Sequence, residues 1–229
     1  MEEWYKNQEE YADWAKGIEE GKISSSMENL WAYKEKIYNE TIMKYCMKGS
    51  KGLEIGSGSG RTCKFLKENK RFVIGIDPIT HKNVYNLVTD SLLSAVGENL
   101  PFKSSSFYFV MTKASIDHAI SPQRVFYEVN RVLKNSGYFI VCQNVKIKDD
   151  DHQHVFEIET IKELGNQSNF KLLRMIPVHI RIPFPSWRMR VTIVKSGLYL
   201  KINRLLATIL ARYSHHLIFV FKKPSNQAE

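Results

Sequence analysis

Three glycines alternate with serines in Glu54-Ile55-Gly56-Ser57-Gly58-Ser59-Gly60, and a carboxylate stands two positions before the first of them. Gly56, Gly58 and Gly60 permit a tight turn and let a ligand approach the backbone with no side chain in the way. A helix reading from Lys64 to Asn69 follows, so the loop meets a helix N-terminus whose free N–H groups favour negatively charged ligand groups. Glu54 narrows the choice of ligand. A pyrophosphate on the loop would be repelled by that carboxylate, whereas a ligand carrying an ammonium and a sulfonium would tolerate it or gain from it. The position three after Gly58 is Arg61, so the last glycine of the dinucleotide fingerprint is missing.

Asp77 ends the apolar run Phe72-Val73-Ile74-Gly75-Ile76, and an acid there can accept both hydroxyl hydrogens of a ribose; the competing reading is an acid ending a strand at a turn. Asp117 and His118 lie in Lys113-Ala114-Ser115-Ile116-Asp117-His118-Ala119, just beyond another apolar run. The carboxyl end of a central strand is where open sheets place their ligands, so these two are the candidates to face a reacting group, His118 as general base toward a hydroxyl. Packing on a ligand, or capping of the next helix, competes for His118. His152 and His154 sit in Asp149-Asp150-Asp151-His152-Gln153-His154. A charge run of this kind is usually a solvated loop, and no metal is expected there, although a histidine after that strand could reach the reacting group.

These residues need a scaffold that alternates strand and helix. Apolar periodicity predicts strands near 51–55, 71–77, 92–97, 107–113, 137–143, 170–178 and 215–222, with helices near 60–68, 121–134 and 155–168. That alternation predicts an α/β doubly wound sheet. Two helices precede it. Trp4, Tyr11, Trp14, Ala15 and Ile18 recur at helical spacing, and a second helix starts at Ser25, with Glu28 as a capping-box partner, and runs through Leu30, Trp31, Ile37, Tyr38 and Ile42 to about Met47. No clear helix fills 79–90.

Gly97-Glu98-Asn99-Leu100-Pro101-Phe102, Ser106-Phe107-Tyr108-Phe109-Val110, Glu128-Val129-Asn130-Arg131-Val132-Leu133-Lys134 and Gly137-Tyr138-Phe139-Ile140-Val141 follow in order. From Leu53 to Val141 the series resembles the class I S-adenosylmethionine-dependent methyltransferases, in the type 11-like branch that reads roughly "E-x-L-P-F" and then "R-V-L-K-P-G-G". The resemblance implies a Rossmann-like, seven-stranded, mostly parallel sheet and S-adenosylmethionine as cofactor. It implies that Gly56, Ser57, Gly58 and Gly60 meet the methionine portion and ribose, with Glu54 near the ammonium. Asp77 would bind the ribose hydroxyls, Pro78 and Ile79 would lie beside the adenine, and Gly97 and Glu98 would reach the adenine edge. Val96 stands where many relatives carry an aspartate, which leaves Asp90 as a weaker candidate for adenine. Tyr108 replaces the usual aspartate after Phe107, and Asn135-Ser136-Gly137 replaces the proline-glycine-glycine turn. In the family, the N-terminal helices often lie over the cofactor or shape the substrate pocket; simple packing of Trp4, Trp14 and Trp31 is the competing reading.

The 229 residues, 43% of them hydrophobic, suffice for one well-buried core. We expect a single domain: an N-terminal helical extension over 1–48, a cofactor-binding core over 49–178, a basic amphipathic insertion over 179–213, and a last strand and tail over 214–229. The net charge of +9 suggests an acidic partner such as anionic lipid, nucleic acid or an anionic substrate, against the plain reading of a basic, solubilising surface. Cys46, Cys63 and Cys142 have no metal-ligand spacing and read as buried thiols in a reducing compartment. The acidic N-terminus lacks a signal-peptide pattern and no apolar run reaches the ~18 residues of a spanning helix, so a cytoplasmic protein is expected.

After the irregular Ile182-Pro183-Phe184-Pro185-Ser186-Trp187 come Arg188, Arg190, Lys195, Lys201, Arg204 and Arg212, with no acid among them. A packed helix with a solvated basic face, peripheral contact with anionic membrane through 187–213, and a lid over an acidic substrate all fit. Methyl transfer to a small-molecule or lipid-linked acceptor is the leading function. It needs little more than two partners held in line. A nucleic-acid methyltransferase is permitted by charge, but neither an Asp-Pro-Pro-Tyr-like nor a Pro-Cys motif is present. A non-catalytic cofactor-binding member is the other alternative, and a nicotinamide oxidoreductase is disfavoured by Glu54 and Arg61. The sequence sets no oligomeric state.

Overall fold

The computed structural model describes residues 25–79, 89–146, 153–179 and 215–225, of which 25–32 and 179 are described by backbone alone. Strands β1 (Lys51–Ile55), β2 (Phe72–Ile76), β3 (Leu92–Leu93), β4 (Phe107–Lys113), β5 (Leu133–Asn144), β6 (Lys171–His179) and β7 (His216–Lys222) form one seven-stranded sheet in the order β3-β2-β1-β4-β5-β7-β6. Neighbours from β3 to β5 pair in parallel, and β7 runs antiparallel between β5 and β6. From β1 the chain moves one way to β2 and β3, then returns to the other side of β1 as β4. The strand order therefore reverses between β1 and β4, the place where open α/β sheets form a ligand crevice.

Both faces of the sheet are covered. On one, α1 (Ser25–Tyr45) and α2 (Arg61–Glu68) bury Tyr38, Ile42, Cys63 and Leu66 against Phe109, Met111, Ile140, Cys142, Ile218 and Val220. On the other, α3 (Pro122–Val132) presents Val125, Phe126, Val129 and Val132, one stripe at helical spacing, and α4 (Ile158–Gln167) adds Ile158 and Ile161. Proline at the first turn of α3 costs no hydrogen bond, because that N–H would be unpaired anyway. Phe126 sits 5.0 Å from Phe139 and 5.9 Å from Phe221, ring centre to ring centre. Each such ring contributes about 1.5–3 kcal/mol by burial. Central β1 approaches its neighbour so closely that a Cβ on Gly52 would fall 2.0 Å from the Phe109 ring.

The doubly wound sheet and its strand positions agree with the sequence reading, with two corrections. The strand expected over 92–97 is only Leu92–Leu93. As an edge strand it pairs with Gly75 and Ile76 alone; Ser94 then turns back to donate to the Pro78 carbonyl, and Asn99 N–H closes a turn on Val96. Conversely β5 begins at Leu133 rather than 137, because α3 passes into it without a loop and Leu133 pairs with Phe107 across an irregularity in register. The helix expected over 2–20 with Trp4 and Trp14, the Trp31 side chain, the Ser25–Glu28 capping box, most of 79–90, His152 and the basic stretch 187–213 lie outside the described residues and side chains. Among the described residues no helix is long and apolar enough to cross a membrane.

Candidate active site

The crevice at the strand reversal is walled by two loops, one after β1 and one after β4. Gly56, Gly58 and Gly60 have φ of 69°, 50° and 86°, values open to glycine and costly to other residues. Gly56 and Ser57 N–H both donate to the Ile76 carbonyl, at 2.9 and 3.0 Å, which fixes the start of the loop to the end of β2. From there Asp77 reaches back: Oδ2 accepts from Gly58 N–H at 3.0 Å and Oδ1 from Ile79 N–H at 3.2 Å. Burial raises the Asp77 pKa and the two backbone donors oppose that rise. Its carboxylate therefore clasps the loop on which a ligand would lie. Ser57 Oγ is buried with no hydrogen-bond partner among the described residues, a polar atom the fold has left for something else to satisfy.

The wall after β4 closes on the same loop. Ser115 Oγ donates to the Ile55 carbonyl at 3.0 Å and lies 2.5 Å from Thr112 Oγ1, tying the ends of β1 and β4 together. A Cβ on Gly56 would fall 2.3 Å from Ser115 Cβ, so glycine is required by contact as well as by backbone. Asp117 and His118 form a short 3-10 turn, Ile116–His118, and both are buried. The Asp117 carbonyl accepts from Gln153 and His154 N–H at 3.1 Å each, and the His154 Nε2–H donates to the Ala119 carbonyl at 2.9 Å. The histidine foreseen after β5 is thus a brace for the turn that carries the two candidate catalytic residues.

Glu54 is buried under α1 and α2, where the Cys63 thiol donates to Oε2 at 3.1 Å. Burial pushes its pKa up to about 7, against the pull of Lys113 and the hydroxyl and thiol of Thr62 and Cys63. Lys113, the last residue of β4, holds Glu35 of α1 with Nζ at 2.9 and 3.1 Å from its two carboxylate oxygens, and lies 5.3 Å from the centre of the Tyr38 ring. This assembly puts two acids around one lysine, an excess of negative charge that suits an added cation. Lys113, Glu35, Cys63 and Ser115 were not foreseen as site residues: Glu35 and Lys113 are 78 positions apart, and nothing local marks either.

The adenine side is differently used. Glu98 Oε1 accepts from Ile120 and Ser121 N–H at 2.8 and 3.3 Å, so this acid secures the entry to α3 beside its predicted ligand role. Gly97 packs where a Cβ would meet Ile55 and Val125 at 3.1 and 3.2 Å. Ile79 is buried and Pro78 half-buried next to Asp77, while Asp90 stands on the surface in an ion pair with Lys67 at 2.8 Å. Gly56, Ser57, Gly58, Gly60, Asp77, Pro78 and Ile79 follow the carboxyl ends of β1 and β2, with Glu54 in β1 below them and Asp117 and His118 on the turn after β4. Among the described residues no cluster of three metal-ligating side chains occurs.

Residues 53–141 match the family model described as "Methyltransferase domain". Over 117 residues the chain is 33% identical to the uncharacterized protein MJ1123 of Methanocaldococcus jannaschii, covering 50% of this chain and 53% of that protein. A second protein of that organism, MJ1252, is 32% identical over 128 residues, covering 54% and 50%. The chain thus spans about half the length of the curated relatives it matches. Among solved structures, a chain from the complex between the Haloferax volcanii Trm112 methyltransferase activator and a methyltransferase superposes with a TM-score of 0.64 at 20% identity, over 94% of this chain and 97% of that one. An Archaeoglobus fulgidus S-adenosylmethionine-dependent methyltransferase gives 0.60 at 16%, over 83% and 94%.

Proposed function

We propose that this chain is a class I S-adenosylmethionine-dependent methyltransferase, its residues 53–141 matching the methyltransferase-domain family model, and that it moves a methyl group from that cofactor to a small-molecule or lipid-linked acceptor. The observation that carries the reading is the Asp77 clasp on a glycine loop in which the buried Ser57 Oγ has no hydrogen-bond partner among the described residues. The donor set fits the cofactor. Asp77 and the Ser57 hydroxyl would hold its ribose and methionine portion along the glycine loop, Glu54 its ammonium, and Pro78 and Ile79 the adenine. When bound, the cofactor supplies an electrophilic methyl group on a sulfonium. The protein has only to present an acceptor atom in line behind it and keep water away, a positioning task worth up to about 7–11 kcal/mol of barrier.

The small or lipid-linked acceptor is supported by the sequence of the basic, aromatic stretch at 187–213, for which peripheral contact with anionic membrane is part of the same proposal. Co-sedimentation with anionic vesicles tests that contact. A second reading concerns partners: the similar Haloferax chain was solved with a methyltransferase activator, and a small activating subunit for this chain would show as co-purification from its native source. The deciding experiment is calorimetric titration with S-adenosylhomocysteine, with NAD as control. Binding of the first alone is expected; binding of neither would overturn the reading.

A further inference from the structure

We infer that Lys113 is a positioning residue for cofactor recognition: bound to Glu35 of α1 and Thr62 of α2, it keeps Glu54 a carboxylate, ready to accept from an ammonium, at the foot of the glycine loop. The inference rests on the methyltransferase reading and adds to it the side chain that sets how the ammonium end is recognised. Glu54 stands in β1 just before the loop, and Thr62 and Cys63 stand in the first turn of α2 just after it, so these three flank Gly56, Gly58 and Gly60 from both sides. Lys113 ends β4, one position past the pairing of Thr112 with Ile55, which brings it level with the start of the loop. A contact made by Lys113 therefore bears on the crevice directly.

Lys113 Nζ donates to both Glu35 oxygens, at 2.9 and 3.1 Å, and to Thr62 Oγ1 at 3.4 Å, which accounts for its three hydrogens. The Thr62 oxygen accepts there, so its own hydrogen turns away from the lysine. Glu54 is the acid whose charge that hydroxyl favours, and its Oε2 accepts from the Cys63 thiol at 3.1 Å. Hydroxyl and thiol both offer hydrogen to Glu54, which is what a carboxylate needs where burial leaves it 2% exposed. The other groups that act on it are Lys113 from β4, and Glu35 and the Tyr38 phenol from α1. Burial holds that phenol and the Cys63 thiol neutral. Two carboxylates and one lysine then leave one negative charge unbalanced, and an ammonium balances it. Without the lysine, the two acids would lose the cation they share, and Glu54 would take up a proton instead.

The test is calorimetric titration of the full chain with S-adenosylhomocysteine at a series of pH values on either side of neutrality, beside 5′-methylthioadenosine, which keeps the nucleoside and thioether but lacks the amino-acid end. In wild type the affinity for S-adenosylhomocysteine is expected to fall as pH drops through about 7. In Lys113→Met the pH of that fall should rise by about one pH unit or more, so that affinity at neutral pH is lower by about fivefold or more. The deficit should shrink as the solution is made more alkaline, and 5′-methylthioadenosine should bind as before. Unchanged affinity, or a loss that is equal at every pH or equal for both ligands, means that Lys113 only holds α1 to the sheet and overturns the inference. Where the lysine variant does not fold, Thr62→Val decides. It should move the same pH upward by less, and an unmoved pH overturns the inference. Failure of the wild type to bind S-adenosylhomocysteine overturns the methyltransferase reading on which all of this rests.

Discussion

The two sides of the strand reversal are built in opposite ways. On the β1–β2 side the backbone does the work: four amide donors, three glycines in the left-handed region and one carboxylate fix a loop whose shape depends on hardly any side-chain choice. On the β4–β5–β7 side the strands carry the site, and its contacts are made by side chains from distant parts of the sequence. Glu35 meets Lys113, His154 meets Ala119 and His216 meets Cys142. The first design suits a ligand that never changes and the second one that differs from enzyme to enzyme, which is how one scaffold carries many chemistries.

If the backbone makes the first side, breaking it there should have the largest effect. Gly56→Ala forces a Cβ into the left-handed region and against Ser115, a strain of about 1–3 kcal/mol before any contact is lost. S-adenosylhomocysteine affinity is expected to fall by about 100-fold or more and the melting temperature by several degrees, both readable in one calorimeter. An affinity within a factor of a few of wild type would mean that the loop does not hold the ligand. Asp77→Ala comes next. It removes the acceptor for Gly58 and Ile79 N–H and the ribose partner together, and should cost about 2 kcal/mol of binding, roughly 30-fold.

The same contrast explains what the sequence discloses. The glycine loop, Asp77 and the seven strands were legible because each is a local pattern: turn residues at fixed spacing, and apolar runs that end in them. Asp77's partner was less so, since its hold on Gly58 joins residues 19 apart. Glu98 shows a role that its motif did not announce. Its place in a familiar motif pointed to adenine, and its carboxylate also reaches across to Ile120 and Ser121, accepting from two N–H groups at the start of α3. The four-residue overrun of the edge strand beyond Leu93 has its own origin: alternation predicted a strand where, among the described residues, no second neighbour pairs with it. The bond of His216 to Asn144 gave no signal, since 72 residues separate the two.

Glu54 joins the two sides, and pH should reveal it. Its pKa rises from an unfolded value near 4.5 to about 7, so the folded protein holds a proton there that the unfolded chain has released. Stability from this group is full below pH 4.5 and is lost as pH climbs toward 7, a fall of about 3 kcal/mol. Glu54→Gln should therefore flatten the pH dependence of the melting temperature between 5 and 8 and raise it at pH 8. The same change should weaken S-adenosylhomocysteine binding at pH 8, where the lost charge would have met an ammonium. A variant that melts with the wild-type pH profile would remove Glu54 from the account.

The smallest effect should come from the most visible contact on the β4 side, the Glu35–Lys113 pair. Its two side chains are 33% and 25% exposed, so solvent screens most of the Coulomb gain, and Glu35→Gln should cost no more than about 1 kcal/mol of stability. Cofactor affinity should hardly move, because Glu54 and Asp77 keep their partners. What should change is the setting of Lys113, which loses one of two acids and turns more of its charge toward Glu54 and the Tyr38 ring. A stronger lysine next to Glu54 lowers that carboxyl's pKa, so the pH at which the melting temperature falls should shift downward in Glu35→Gln. An unchanged pH midpoint beside a lowered melting temperature would show that Glu35 only pins α1 to the sheet, and that the two sides of the crevice are electrostatically separate.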